Sequence, residues 1–241
     1  STIIFAFIIA ITLFLFLTKI KAEFIIRLWF FFVVVIALLI ALQTIIPGVN
    51  AFLISGVAAL FLAFFKIFRR NILIHNITEL LIYPGIAAVF VPILNIYSVL
   101  ILLVLISIYD MWAVWHSKIM IKMAKYQINK VKAFSGFFVP YISKKVRLQM
   151  KKLKKSQLKK KKIKVNVAIL GGGDVVFPII TAGVVLLTYG FFYSLFVIAG
   201  AALGLLYLFI FSEKKKFYPA MPFITAGIFL GLLVGWLISL I

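Results

Sequence analysis

Acidic side chains are scarce in this chain. Among its 241 residues there are five, Glu23, Glu79, Asp110, Asp174 and Glu213, and both aspartates fall inside long apolar runs. A carboxyl group held in hydrocarbon costs about 3 kcal/mol or more on insertion scales, which marks it as a functional candidate. Ser, Thr or Asn would supply an interhelical hydrogen bond more cheaply. Two carboxylates that meet cannot both ionise comfortably, so they share a proton and titrate as a pair. Such a pair divides the work of hydrolysis: one member deprotonates a water and the other protonates a scissile carbonyl. Asp110 and Asp174 are the candidate pair. Glu23 and Glu213 stand beside lysines and read as solvated salt bridges, and Glu79, near His75, reads as a structural pairing.

The neighbours of the two aspartates suit that chemistry. Tyr109 precedes Asp110 and either offers its hydroxyl near the pair or fills space. Gly171, Gly172 and Gly173 precede Asp174. Read as mid-helix glycines they cost about 1 kcal/mol each relative to alanine, and predict a loosened helix open to water and a substrate backbone. Close helix packing through small residues is the alternative. Pro219-Ala220-Met221-Pro222 heads the last apolar run. It either keeps backbone groups free to pair with an unwound substrate or is an ordinary helix start with proline in its first turn.

What positions these residues is a membrane bundle. Hydrophobic residues make up 66% of the chain and charged ones 13%, and the mean hydropathy is +1.24. This excludes an ordinary soluble enzyme and a disordered chain. A crossing helix needs about 20 apolar residues, and eight runs qualify, roughly 1–18, 24–46, 49–65, 72–93, 95–116, 166–188, 190–211 and 218–241. Turn residues separate them: Pro47-Gly48, Pro92 with Asn95, Gly190, and Pro219 with Pro222. Short alternating segments, the mark of a membrane β-barrel, are absent.

The 26 basic residues against five acidic ones give a net charge of +21. They collect in alternate connections: Lys19, Lys21 and Arg27; Lys66, Arg69 and Arg70; seventeen between residues 117 and 164; then Lys214, Lys215 and Lys216. The positive-inside rule puts those connections in the cytoplasm and both termini outside. The expected organisation is an N-terminal bundle over 1–116, a basic cytoplasmic loop over 117–165 and a C-terminal bundle over 166–241. The loop reads as a solvated segment beside anionic headgroups. From Lys144 to Lys164 it lacks the interleaved aromatics that strand binding favours, so membrane lipids are the expected partner and nucleic acid is not. Its one apolar stretch, Ala133–Ile142, is expected to lie on the membrane face or over helix ends.

Depth brings the aspartates together. Asp110 is six residues before His116 and Asp174 eight beyond Asn166, so they lie about 9 and 12 Å from the same side at 1.5 Å per residue. Their helices follow one another in sequence and so tend to be neighbours.

Tyr109-Asp110, Gly171-Gly172-Gly173-Asp174 and Pro219-Ala220-Met221 resemble the YD, GxGD and PAL signatures of the presenilin and signal-peptide-peptidase family, nearest to its archaeal presenilin homologues. The likeness is specific over about 95–241 and architectural before it. It implies an all-α presenilin-like bundle that acts as an intramembrane aspartyl endopeptidase on single-pass transmembrane helices, without metal or organic cofactor. Asp110 and Asp174 would be the catalytic pair; Pro219, Ala220 and Met221 would support the site and its substrate. Met221 replaces the usual leucine, an apolar swap of similar volume. The family has nine spans, so the resemblance places a further one ahead of those counted here. The cytoplasmic loop between the catalytic helices matches presenilins, and signal peptide peptidases are inverted. The Ala133–Ile142 stretch stands where presenilins carry a hydrophobic segment that would occlude the site.

Other chemistries fit less well. A prepilin or preflagellin peptidase shares GxGD but resembles a pattern with lysine two residues on, where this chain has Val175-Val176. A transporter coupling protons or cations through the same acidic pair would suit a glycine-broken helix, yet no inverted repeat is apparent. There is no cysteine and no HExxH for zinc. Ser55 and Ser135 lack the upstream glycine of a rhomboid-like GxSG. His75 and His116 are too few for a metal cluster and read as surface or interfacial groups, His116 with Trp112 and Trp115 in an aromatic belt.

Overall fold

A computed structural model describes residues 11–12, 23–69, 71–116, 122, 126, 135–141, 166–211 and 218–239. Most of the first expected span and most of the basic loop lie outside the described residues. The others appear as seven helices: α1 (Glu23–Ile45), α2 (Ala51–Phe68), α3 (Ile72–Phe90), α4 (Ile96–Met111), α5 (Gly173–Tyr189), α6 (Phe191–Phe211) and α7 (Met221–Ile238). Six are long and apolar enough to cross a membrane, α4 with the π-helical turn Trp112–His116 that extends it; α5 is shorter. Large apolar side chains such as Phe24, Trp29, Phe61, Leu187 and Phe211 are exposed along their outer faces, as a lipid solvent requires.

Local chemistry starts and stops these helices. The Asn71 side chain accepts from the Leu73 N–H at 2.9 Å, and Asn95 caps α4 by accepting from Ser98 at 2.8 Å. Glycines allow close helix contacts. Where α6 crosses α7, a Cβ on Gly200 would stand 2.1 Å from the Gly227 carbonyl oxygen, and one on Gly204 2.3 Å from that of Phe223. This is small-xxx-small packing, with backbones touching where side chains are absent.

The sixth expected span is corrected. Residues Asn166–Gly171 are not helical; they form strand β2, antiparallel to β1 (Gly136–Tyr141) with Gly136 opposite Gly171 and Tyr141 opposite Asn166. An apolar run of this length is equally compatible with strand and helix, and the three glycines end it. The Gly136–Tyr141 part of the loop's apolar stretch is therefore a strand within the fold.

The core has two parts. One joins α4, α5, α6 and α7 around Val99, Leu103, Val185, Val197 and Ile228. The other joins α1, α2 and α3 around Leu38, Ala63 and Tyr83, with Val175, Val176 and Ile179 of α5 packed against it. Helix α5, which carries Asp174, is thus gripped from both sides.

Candidate active site

Asp110 lies near the end of α4 and is 3% exposed. Its Oδ2 accepts the Met221 N–H at 3.1 Å, and the Ala220 N–H also faces the carboxylate. Met221 is the first residue of α7, so its N–H has no partner inside the helix and is free for the carboxylate. One turn before Asp110, the Ser107 hydroxyl meets that of Thr225 at 2.7 Å. These bonds tie α4 to the head of α7.

Asp174 is the second residue of α5. The helix N-terminus carries partial positive charge, which favours a carboxylate there by about 0.3–1 kcal/mol. The two aspartates therefore use two helix starts: Asp174 its own, and Asp110 that of α7. Helix α5 packs against α4, and the Asp110 charge acts directly on Asp174. Asp174 stands at a helix tip and not in mid-helix, where the depth argument expected it.

The three glycines form a joint between strand and helix. Gly171 closes β2, and its N–H faces the Asp174 carboxylate; a Cβ there would stand 3.1 Å from Asp174 Oδ2. Gly172 precedes the first helical residue, and a Cβ on it would meet Ser135 Oγ at 2.8 Å and Tyr83 Oη at 3.1 Å. Gly173 is exposed beside Asp174. At this position the glycines are turn-formers, so the mid-helix cost does not arise.

The proline motif takes the ordinary helix-start form, with Ala220 as N-cap and Pro222 in the first turn. Pro219, Ala220 and Met221 are all buried. Tyr109 is half-buried with its ring 6.3 Å from that of Trp112, a packing contact. Trp112 and Trp115 are exposed on the π-helical turn.

Strand β1 is held on both edges. Backbone groups of alternate strand residues point to opposite sides. Those of Gly136 and Phe138 turn to α3, where His75 Nε2 meets the Gly136 carbonyl at 2.8 Å and Asn76 makes two bonds to Phe138. Pro140 has the same parity, so its missing N–H costs the sheet no bond. The far edge of β2, carrying the backbone groups of Val167, Ile169 and Gly171, has no further strand among the described residues.

His75 is a correction: it is 8% exposed and bonded, not superficial. Glu79 has the expected His75 neighbour at 3.6 Å, and sequence gave no sign of its main partner, Lys66 of α2, which bonds to Glu79 Oε1. Lys66 was counted with the loop charges but is turned inward. Its partner lies thirteen residues away on another helix, and the pairing of α2 with α3 decides it.

The sequence matches the signal-peptide peptidase, presenilin aspartyl protease family over residues 1–241. The chain belongs to that family. It is an aspartic-type intramembrane endopeptidase and an integral multi-pass membrane protein. Two crystal structures of a presenilin family intramembrane aspartate protease share its fold. The C222 form is 21% identical, with TM-score 0.66, covering 98% of this chain and 85% of that one. The P2 form is also 21% identical, with TM-score 0.63 and coverage of 98% and 83%. No curated protein matches the chain.

Proposed function

We propose that Asp110 and Asp174 are the catalytic pair and that the substrate is a transmembrane helix unwound along the open edge of β2. One observation carries this reading. The backbone groups of that edge run through Val167, Ile169 and Gly171 and end at the Asp174 carboxylate. A helical peptide bond is shielded by its own hydrogen bonds, and unwinding in hydrocarbon leaves groups that cost several kcal/mol each. Pairing to β2 satisfies them and presents an extended peptide to the aspartates.

In the reaction one carboxylate removes a proton from water as its oxygen attacks the carbonyl carbon. The other carboxyl protonates the carbonyl oxygen. The tetrahedral diol then collapses: the C–N bond breaks, the nitrogen takes a proton from the pair, and a diol hydroxyl returns one. The Met221 N–H holds Asp110 in place through both steps, so Pro219, Ala220 and Met221 support the site; Gly171 and Gly172 let the chain pack closely around Asp174, and Gly173 leaves room for the substrate backbone.

The basic 117–165 loop is cytoplasmic in this reading, between the 1–116 and 166–241 bundles, with the C-terminus outside. The alternation of Lys and Arg between connections supports that orientation. The test is cleavage of a reporter transmembrane helix by purified protein in proteoliposomes. Asp110→Asn and Asp174→Asn should each stay folded and lose cleavage; an active Asp174→Asn enzyme would end the assignment.

A further inference from the structure

A polar cluster on α3 and α2 stands apart from the two aspartates. Asn76 Nδ2 donates to the Phe138 carbonyl at 2.8 Å, and the Phe138 N–H donates to Asn76 Oδ1 at 3.0 Å. One side-chain amide thus reproduces the paired bonds of a neighbouring strand. Two residues earlier in β1, His75 Nε2 meets the Gly136 carbonyl at 2.8 Å, and the Gly136 N–H donates to Glu79 Oε1 at 3.2 Å. Gly136 has φ +144°, a conformation that side chains disfavour. The rings add to the grip: His75 lies 4.7 Å from Phe138, and Tyr83 lies 5.5 Å from Phe137. Lys66, in the last turn of α2, bonds to the same Glu79 oxygen and fixes the carboxylate.

The placement of this cluster gives it a role. Strand β2 joins Asp174 through Gly172 and Gly173, a connection with little stiffness of its own. Its orientation comes from β1, and that of β1 comes from α3, which packs directly on α5. A rigid path therefore runs from α5 through α3 and both strands back to the start of α5.

We propose that Asn76, together with His75 and Glu79, sets the register of cleavage: it is a positioning device that decides which peptide bond of the substrate lies over the aspartates. This rests on the reading that the substrate pairs with β2. The side chains of α3 act as a fixed third strand on the outer edge of β1. They prevent the two-stranded sheet from swinging about the glycine joint. One residue of substrate slip is about 3.3 Å along the strand, so a modest change of sheet angle exchanges one bond for its neighbour.

The experiment is mass analysis of products from a synthetic transmembrane reporter cleaved by the full chain in proteoliposomes. Asn76→Leu keeps the branched heavy-atom skeleton and removes both bonds to Phe138. We expect kcat/KM at the original bond to fall about tenfold, corresponding to the net loss of roughly one hydrogen bond. Products from adjacent bonds should rise, with KM changing less than kcat. A general loss of stability would lower all products in proportion. If Asn76→Leu does not fold, Asn76→Thr, smaller and still polar, is measured the same way. The double variant Lys66→Met/Glu79→Leu removes the buried charge pair together and should also broaden the product set. An unchanged product pattern in a folded Asn76 variant overturns the inference, even while Asp110→Asn remains inactive. Failure of the pairing reading shows separately: reporters N-methylated at alternate amides flanking the cleaved bond would be cut as fast as unmodified ones.

Discussion

Replacing Gly200 by alanine should damage catalysis from a distance. A Cβ on Gly200 would stand 2.1 Å from the Gly227 carbonyl oxygen, where real contacts do not fall below 3.0 Å. The backbones of α6 and α7 must therefore part by about 1 Å, and overpacking of this kind costs about 1–3 kcal/mol. Gly227 lies six residues beyond Met221, about 9 Å along α7 at 1.5 Å per residue. A shift there carries the head of the helix with it. The Met221 N–H now sits 3.1 Å from Asp110, and another ångström breaks that bond. Misplacement on this scale costs about a hundredfold in rate. The assay is the initial rate of reporter cleavage in proteoliposomes, with thermal unfolding measured in parallel. Gly56→Ala is the control, since a Cβ there meets nothing within 4 Å, and it should match wild type in both measurements. A Gly200→Ala enzyme with wild-type rate and melting temperature would refute the claim that this contact positions the active site.

Two further substitutions separate fold from function. Gly173→Ala should leave the melting temperature unchanged, because its Cβ would make only an ordinary contact with Phe177 at 3.6 Å; reporter cleavage should nevertheless fall about tenfold or more, because the methyl occupies the exposed approach to Asp174, and equal activity would contradict that approach. Met221→Leu conserves volume at a buried position and keeps the N–H that Asp110 accepts, so stability should change by less than about 1.5 kcal/mol and cleavage should persist, both read from the same pair of assays.

Much of this was legible in the sequence because a lipid solvent imposes simple rules. Six of the eight apolar runs coincide with helices and a further one does so only from Gly173 onward, and Asp110 and Asp174 stood out because carboxylates inside such runs are rare. The strands were harder to see. Asn166–Gly171 is apolar and continuous with the residues after Asp174, so periodicity did not separate it from the helix that follows. The glycine triplet marked the boundary, yet read as mid-helix it pointed to loosening and not to a joint. Gly136–Tyr141 lay inside a lysine-rich loop, and its strand character depends on a partner thirty residues on. Phe137, Phe138, Val139 and Pro140 were the available signals. The partners of His75, Asn76 and Glu79 are set by tertiary contacts, which local sequence does not specify. Gly200-xxx-Gly204 and Gly227-xxx-Gly231 were readable as a packing motif, and they explain how α7 is held where Asp110 can use it.

The central claim is that the two carboxylates act together on one tetrahedral centre. It is tested most directly by the affinity of a reporter peptide carrying a secondary alcohol at the cleaved position, against the same peptide with a methylene there. The alcohol mimics the diol, and transition-state analogues bind about a hundredfold or more tighter than ground-state counterparts. The wild-type protein should show that preference, and both Asp110→Asn and Asp174→Asn should lose it. A preference that survives in either single variant would mean that the aspartates do not share a substrate.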